Sequence, residues 1–346
     1  MTKCIILVLI IAFLSPCAGA VSFEAPSVTG EADTLMPREY ESFADGFISI
    51  LKEAISKLQP SIAEALRCCV SVIAITMLVS VVKGIRGSPN PVVGLVGTLS
   101  VSMILLHSSK AFIGLASETV QQLSDYGKLL LPVMSASLAA QGGSGTAIAL
   151  YSATALFDAL LSSIISNIIV PIVYIYLCIS TAYSAVGEEL LSKVNAFFKW
   201  LATWMLKTLL YVFTGYIAIT GVVSGSADAA ALKAAKLTIS GAVPVVGGIL
   251  SDASEAILVS AALAKNAAGI YGLLAFASIT ALPFIKIGTH YLLLKVTTAI
   301  CSVFEIKSLT TLLKDYASAM GLLLGMTGAV CLMMLVSTVC FMKGLQ

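Results

Sequence analysis

Charged residues are scarce in this chain, at 11% of 346 residues, against about one quarter in an ordinary soluble domain. Hydrophobic residues make up 58% of the sequence, and the mean hydropathy is +1.01. A soluble protein of this length needs far more polar surface, so the composition excludes an ordinary soluble domain. Apolar runs long enough to cross a bilayer predict an all-α, polytopic helical membrane protein.

Residues that usually carry catalysis or bind metals are also few. The two histidines, His107 and His290, are far apart in sequence, and the eight cysteines lie in the first 20 residues or in apolar runs. The sequence has no C-x-x-C pair and no zinc-protease, P-loop, nucleophile-elbow or dinucleotide-binding motif. We therefore predict no enzymatic activity, cofactor or metal, and the net charge of +2 indicates no nucleic-acid partner.

Residues 1–20 have the three parts of a secretory signal peptide. Lys3 supplies the positive charge, residues 4–14 form an unbroken apolar run, and Ala18-Gly19-Ala20 is a small-x-small cleavage pattern. The apolar run is too short for a stable anchor, although an uncleaved first anchor is the alternative interpretation. In both cases we expect the next segment outside the cytoplasm.

Residues 21–60 form an exported, acidic segment in two parts. The first half is rich in Pro, Gly, Ser and Thr, which predicts a linker. In the second half apolar residues recur at helical spacing between charged ones, which predicts an amphipathic helix on the outer membrane surface or on a partner. Its apolar positions are Phe43, Phe47, Leu51, Ile55 and Leu58.

Residues 61–346 form the multi-span domain, for which we predict about seven to nine transmembrane helices of roughly 20 residues each. The predicted spans are 61–82, 91–107, two within 146–186 that are separated by a turn near Ser166 and Asn167, 205–223, 242–263, 267–285, 287–304 and 319–342. Residues 305–316 are polar and are expected to connect the last two spans.

Two further segments are predicted to be interfacial amphipathic helices. Residues 112–132 are too polar to span, and we expect Pro132 to end their helix. Residues 187–204 carry an apolar stripe, and Trp200 and Trp204 mark the headgroup level.

The most unusual polar segment combines Pro244, Gly247 and Gly248 with two acids, Asp252 and Glu255. The proline and glycines should interrupt a helix, and broken helices at membrane depth are tolerated where they are buried or line a wet cavity. The two acids are three residues apart and share a helical face. This pattern predicts a polar path or a subunit junction, and a packing kink with both acids at the membrane surface is the alternative.

Other ionisable residues within apolar sequence are Asp158, Lys286 and His290. Such groups are costly in a bilayer and often mark functional positions. Lys286 and His290 are four residues apart, so they share one helical face. The alternatives are that Lys286 extends to an interface and that His290 is a hydrogen-bonded core residue.

Residues 241–255, which read GAVPVVGGILSDASE, resemble the signature of the stage III sporulation protein AE family. The resemblance extends over most of the chain, from the signal peptide through the acidic exported segment to the multi-span body. It implies a component of a sporulation-specific channel or secretion complex that connects mother cell and forespore and supports forespore development. The family has no assigned catalytic residues, so none is carried over.

The resemblance also implies a multi-pass protein of the mother-cell membrane around the forespore. Its expected partners are the lipid bilayer and other stage III sporulation membrane proteins, with a homo-oligomer left open. The alternative function is a self-contained, ion-coupled secondary transporter, and a scaffold that positions soluble parts of the complex is a third, weaker reading.

Lys83 and Arg86 follow the first predicted span. Together with the leader, they predict that residues 21–60 lie outside and residues 83–90 lie in the cytoplasm. Single cysteines at Ser27 and at Ser88, in a chain whose native cysteines are replaced, test this with a membrane-impermeant thiol reagent on intact cells. We expect labelling at Ser27 alone, and labelling at Ser88 would show that the orientation is wrong.

Overall fold

The computed structural model describes residues 26–28, 30–38, 42–86, 91–242 and 247–343. At positions 86 and 91, and over 217–242 and 247–265, it describes the backbone alone. The predicted signal peptide and residues 243–246 lie outside these ranges. Within them the regular structure is entirely helical, which confirms the predicted all-α class.

The described chain forms eight α-helices, together with one 3-10 helix and one π-helical turn. In chain order they are the 3-10 helix Gly30–Leu35, α1 (Phe43–Ser56), α2 (Gln59–Arg86), α3 (Pro91–Ala140), α4 (Ser144–Ile164), the π-helical turn Ile165–Ile169, α5 (Val170–Val186), α6 (Glu189–Ala242), α7 (Gly247–Ser302) and α8 (Lys307–Lys343).

Five helical stretches among the described residues are long and apolar enough to cross a membrane: Gln59–Ile85, Val92–Ala140, Ser144–Val186, Asn266–Ser302 and Lys307–Lys343. The prediction of a multi-span protein is confirmed, and the number of seven to nine is not reached in this count, since predicted spans 205–223 and 242–263 fall partly or wholly on residues whose side chains the structure does not describe. The prediction divided apolar sequence into units of roughly 20 residues. The helices themselves reach 56 residues in length and continue through several of the expected boundaries.

Four of these expected boundaries lie inside continuous helical structure. Residues 112–132 continue α3 and are not a separate interfacial helix, and Pro132 lies inside α3. The expected turn at Ser166 and Asn167 is the π-helical turn between α4 and α5. The boundary between residues 285 and 287 falls within α7. The predicted interfacial helix 187–204 and the predicted span 205–223 likewise share one helix, α6.

The start of α8 also differs from the prediction. The helix begins at Lys307, so residues 307–316 are its first turns and not a connection. Leu309, Leu312, Leu313 and Tyr316 recur at helical spacing and are fully buried. Their burial in the core stabilises helix through a stretch whose charges suggested a loop.

The amphipathic helix expected in the exported segment is α1, and Ser42 caps its N-terminus by accepting a hydrogen bond from the Asp45 N–H. Its packed face is narrower than expected. Ile50 and Ala54 are buried in a small core with residues of α7 that include Leu274 and Ala277. The predicted positions Phe43, Phe47 and Ile55 are exposed and remain available to a membrane surface or a partner.

The first half of the exported segment, where we expected a linker, also touches the helical body. Val28 and Ala32 are buried in the main core. The Tyr126 hydroxyl donates a hydrogen bond of 3.1 Å to the carbonyl oxygen of Pro26. The described part of this segment is therefore attached to the middle of α3.

The main core lies where α3, α7 and α8 pack together, and glycines allow their backbones to approach closely. A Cβ atom at Gly272 of α7 would lie 2.4 Å from Leu130 Cδ2 of α3, and one at Gly127 of α3 would lie 2.7 Å from Met334 Cε of α8. Leu130 and Met334 are fully buried, so neither has space to move away. Small residues at membrane helix contacts serve this purpose.

Gly272→Ala should therefore lower the midpoint of thermal unfolding in detergent, because overpacking a filled core typically costs about 1–3 kcal/mol. Gly114→Ala is the matched control, because no atom lies within 4 Å of the added methyl group. That control should raise the midpoint, since alanine is favoured over glycine in a helix by about 0.5–1 kcal/mol. Equal midpoints for the two variants would contradict the close contact.

Candidate functional site

A cavity of about 430 Å³ lies between the 3-10 helix, the middle of α3 and the central part of α7. Its polar lining comes from all three elements and consists of Glu31, Glu118, Thr119, Gln122, Ser278 and Lys286. Leu115, Glu118, Thr119 and Gln122 recur at i, i+3, i+4 and i+7, so one face of α3 forms a wall of the cavity. The polar middle of α3 thus lines an open cavity, in which Thr119 is buried and Glu118 and Gln122 are exposed.

Lys286, predicted as an intramembrane ionisable group, lies at this cavity with a partner. Its Nζ is 4.0 Å from Glu31 Oε2, with side-chain exposures of 24% and 81%. An ion pair with so long a separation and one exposed partner contributes little stability. It does, however, bring the 3-10 helix and α7 together at the mouth of the cavity.

Pro283 explains why α7 presents polar backbone here. It lies inside the helix and has no N–H group, so the carbonyl of Ile279, four residues earlier, loses its helical donor. Both Ile279 and Pro283 line the cavity. A backbone carbonyl without a helical donor is tolerated in a membrane protein where it lines a space that water can enter.

His290 lies one turn beyond Lys286 on α7 and is only 1% exposed. Its Nε2 shares a hydrogen bond of 3.3 Å with Ser108 Oγ, and its ring stacks on Phe112 with the centroids 4.4 Å apart. Its Nδ1 has no partner among the described residues. The described residues contain no group of three or more His, Cys, Asp or Glu side chains that could hold a metal ion.

Asp158 occupies a different position, on the opposite side of α3. It is 3% exposed, and its Oδ2 accepts a hydrogen bond of 2.7 Å from Ser124 Oγ, while its Oδ1 has no partner among the described residues. The nearby Lys128 is engaged by Asp125 at 2.8 Å. The structure therefore brings Lys286 and His290 together but places Asp158 apart from them.

The remaining predicted residues belong to the broken segment between α6 and α7. The helix α6 ends at Ala242, and α7 begins at Gly247, followed by Gly248. Pro244 lies outside the described residues, and so do the side chains of Asp252 and Glu255. The expected polar path through this segment thus stays a prediction.

A second polar cluster, which the sequence analysis missed, surrounds Asp315 of α8. Tyr176 Oη donates to Asp315 Oδ1 at 3.0 Å, and Ser180 Oγ and Asn195 Nδ2 donate to Oδ2 at 2.7 and 2.8 Å. Three neutral donors from α5 and α6 thus bind one carboxylate and link these two helices to α8. The sequence predicted a polar connection at residues 305–316, so Asp315 was not considered as part of a site.

These features define a class: a polytopic helical membrane protein with an open polar cavity and a buried carboxylate, Asp158. The chain belongs to the stage III sporulation protein AE family, whose model matches residues 39–344. It is 27% identical over 199 residues to stage III sporulation protein AE of Bacillus subtilis (strain 168), a match that covers 57% of this chain and 50% of that protein. The match thus spans half the length of this curated relative. No solved structure matches the chain.

Asp315→Asn should destabilise the protein. The carboxylate accepts hydrogen bonds at both of its oxygens, and the amide NH2 group of asparagine would face one of these donors with a donor of its own. Hydrogen bonds to charged groups contribute about 1.5–3 kcal/mol each, so we expect a loss of this order in the free energy of unfolding. Asp125→Asn is the matched control at an exposed site, where the change should stay within about 0.5 kcal/mol. Equal thermal midpoints for the two variants in detergent would argue against the network.

Proposed function

We propose that this protein is an integral membrane component of a sporulation-specific channel or secretion complex connecting mother cell and forespore. In this proposal it lies in the mother-cell membrane around the forespore and is needed for forespore development. Its partners are other stage III sporulation membrane proteins. The observation that carries the proposal is the family match over residues 39–344 of a chain with five candidate spans.

The lengths of the central helices support a role within a larger assembly. The helix α3 has 50 residues and α7 has 56, which correspond to about 75 and 84 Å. The hydrocarbon core of a bilayer is about 30 Å thick. A large part of each helix therefore has to lie beyond one membrane surface or be tilted strongly within the bilayer.

The polar middle of α3 favours the first alternative, in which the second half of this helix lies beyond the membrane surface. The helix α2 packs beside the first half of α3, where a Cβ at Gly97 would lie 2.5 Å from Val79 Cγ2. Beyond this half, Gln121, Asp125 and Lys128 are exposed on the outside of α3. Charged side chains at mid-bilayer are costly, so we infer that the membrane surface lies near this level.

Two exposed tryptophans mark a different level along the bundle, because α6 packs near Gly325 of α8 whereas Gly127 in the polar middle of α3 packs on Met334. Trp200 and Trp204 of α6 are exposed and stack with their rings 6.0 Å apart. They lie between Asn195, which contacts Asp315, and Leu206, which packs 3.2 Å from the Cβ position of Gly325. Exposed tryptophans of this kind are typical of the headgroup region.

The projecting half still exposes apolar side chains that water would disfavour. They come from α3, α4 and α8 and include Leu129, Ile148, Leu156 and Leu332. Large apolar surfaces outside a membrane are typical of subunit interfaces. Partner subunits that cover this half would remove these apolar side chains from water, which is a physical reason for the protein to act within a complex.

Deletion of the gene in the native spore-forming host should abolish heat-resistant spores, and the intact gene should restore them. An affinity-tagged copy purified from sporulating cells should retain other stage III sporulation membrane proteins, identified by mass spectrometry. A copy with Asp125→Asn serves as the control and should restore spores as well as the intact gene. Normal counts of heat-resistant spores from the deletion strain would overturn the proposal.

The ion-coupled transporter remains a second candidate because the cavity offers a space for a solute with charged groups nearby. The two functions differ in their need for partners. Saturable, gradient-driven uptake by liposomes that contain this protein alone would favour the transporter. Activity that appears only with co-purified partners would favour the complex.

A further inference from the structure

We propose that the cavity between the 3-10 helix, α3 and α7 binds a small ligand that carries a primary ammonium group. This inference goes beyond the role in a complex and does not depend on it. It follows from the charge of the lining, from its supply of hydrogen-bond acceptors and from its size.

The charges of the lining leave one carboxylate without a cation. Lys286 and Glu31 face each other across 4.0 Å and offset each other. Glu118 is exposed at the open side of the cavity and takes part in none of the ion pairs among the described residues. Its hydrogen bond among these residues comes from a neutral donor, Gln122 Nε2, which donates to Glu118 Oε1 at 3.2 Å. The lining therefore has an excess of one negative charge, which attracts a cation.

The hydrogen-bonding groups of the lining are mainly acceptors. Thr119 Oγ1 donates its proton to the Leu115 carbonyl at 2.7 Å, and Ser278 Oγ donates to the Ala275 carbonyl at 2.9 Å. Both hydroxyl oxygens keep lone pairs for a further donor, and both residues are almost fully buried. The carbonyl of Ile279 lacks its helical donor because of Pro283.

A ligand matched to this lining must donate several hydrogen bonds and carry positive charge. An ammonium group does both, since it has three N–H donors and no acceptor. A quaternary ammonium group has the charge without the donors and would leave the buried hydroxyls and the carbonyl unpaired. The lining thus distinguishes between two cations of equal charge.

The size of the cavity argues for an organic ligand over a metal ion. About 430 Å³ is available, whereas one water molecule occupies about 30 Å³. Cavities of about 300–1,000 Å³ are typical of small-molecule sites. Ala32, Leu115 and Leu282 also line the space and can contact a short alkyl chain. A free alkylamine and the headgroup of an ethanolamine lipid share this chemistry.

Binding can be measured on the full chain purified in detergent, by titration calorimetry and by the thermal unfolding midpoint. Butylammonium is the probe, tetramethylammonium is the cation without N–H donors, and acetate is the anion. We expect saturable binding and a raised midpoint with butylammonium alone. Glu118→Gln should weaken butylammonium binding at least tenfold, whereas Asp125→Asn, at an equally exposed acid of α3 that does not line the cavity, should leave it unchanged.

A second variant covers the case in which Glu118→Gln lowers the midpoint without ligand. Gln122→Glu adds a second carboxylate to the same wall and should tighten butylammonium binding severalfold. Equal affinities of the intact chain and both variants would overturn the site. Equal effects of butylammonium and tetramethylammonium would overturn the requirement for donors. Saturable binding of acetate that Lys286→Met abolishes would show an anion site instead.

The source of the ammonium group is tested in nanodiscs. If ethanolamine lipid lowers the affinity for butylammonium and choline lipid does not, the occupant is the lipid headgroup; equal affinities in both support a free amine. Absence of binding by any probe would overturn the inference. Spore counts from the deletion strain do not enter this test, so its failure is separate from a failure of the proposed function.

Discussion

The middle of α3 carries polar side chains on several faces, and the neighbouring elements are arranged to accommodate them. Glu118 and Gln122 face the cavity, Ser124 binds Asp158 on the other side, and Tyr126 binds the backbone at Pro26. An unpaired polar group in an apolar interior costs several kcal/mol, on the order of 2–7. Glu118 and Gln122 avoid that cost because they are exposed at the cavity, whereas the buried Ser124 and Tyr126 offset it through their bonds to Asp158 and Pro26.

Close packing on either side of this region keeps the arrangement in register. Gly272 of α7 meets Leu130 of α3, and Gly127 of α3 meets Met334 of α8, both within a few residues of the polar middle. Contacts this close cannot slide by a residue without a clash, because the opposing side chains are fully buried. The glycines therefore hold Glu118 and Gln122 opposite Ser278 and Lys286, so the cavity depends on helix packing that lies outside it.

The helical class, the amphipathic helix α1 and the polar positions Lys286 and His290 were predictable, because composition, spacing and isolated charges in apolar sequence carry that information. The length of each helix was not. Units of roughly 20 residues describe bilayer thickness, and nothing in a single sequence states that α3 continues beyond it. Leu309, Leu312 and Leu313 recur at helical spacing, and this pattern indicated the start of α8. The prediction gave more weight to the charged residues around Asp315 and placed a connection there. The partners of Asp315 come from α5 and α6, and contacts so distant in sequence cannot be read from local pattern.

Pro132, Pro171 and Pro283 lie in or next to continuous helix, and each is accommodated on its own physical basis. Pro132 has no N–H group, so the carbonyl of Lys128 lacks its helical donor. Lys128 and Pro132 are exposed, so water can donate to this carbonyl instead. Pro171 follows the π-helical turn, in which the Val170 N–H bonds to the carbonyl five residues back, at Ile165. This altered pattern lets the helix pass the proline. Pro283 frees the carbonyl of Ile279 beside the cavity. A proline inside a long membrane helix therefore indicates where an alternative partner exists, and at Pro283 that partner has to come from the contents of the cavity.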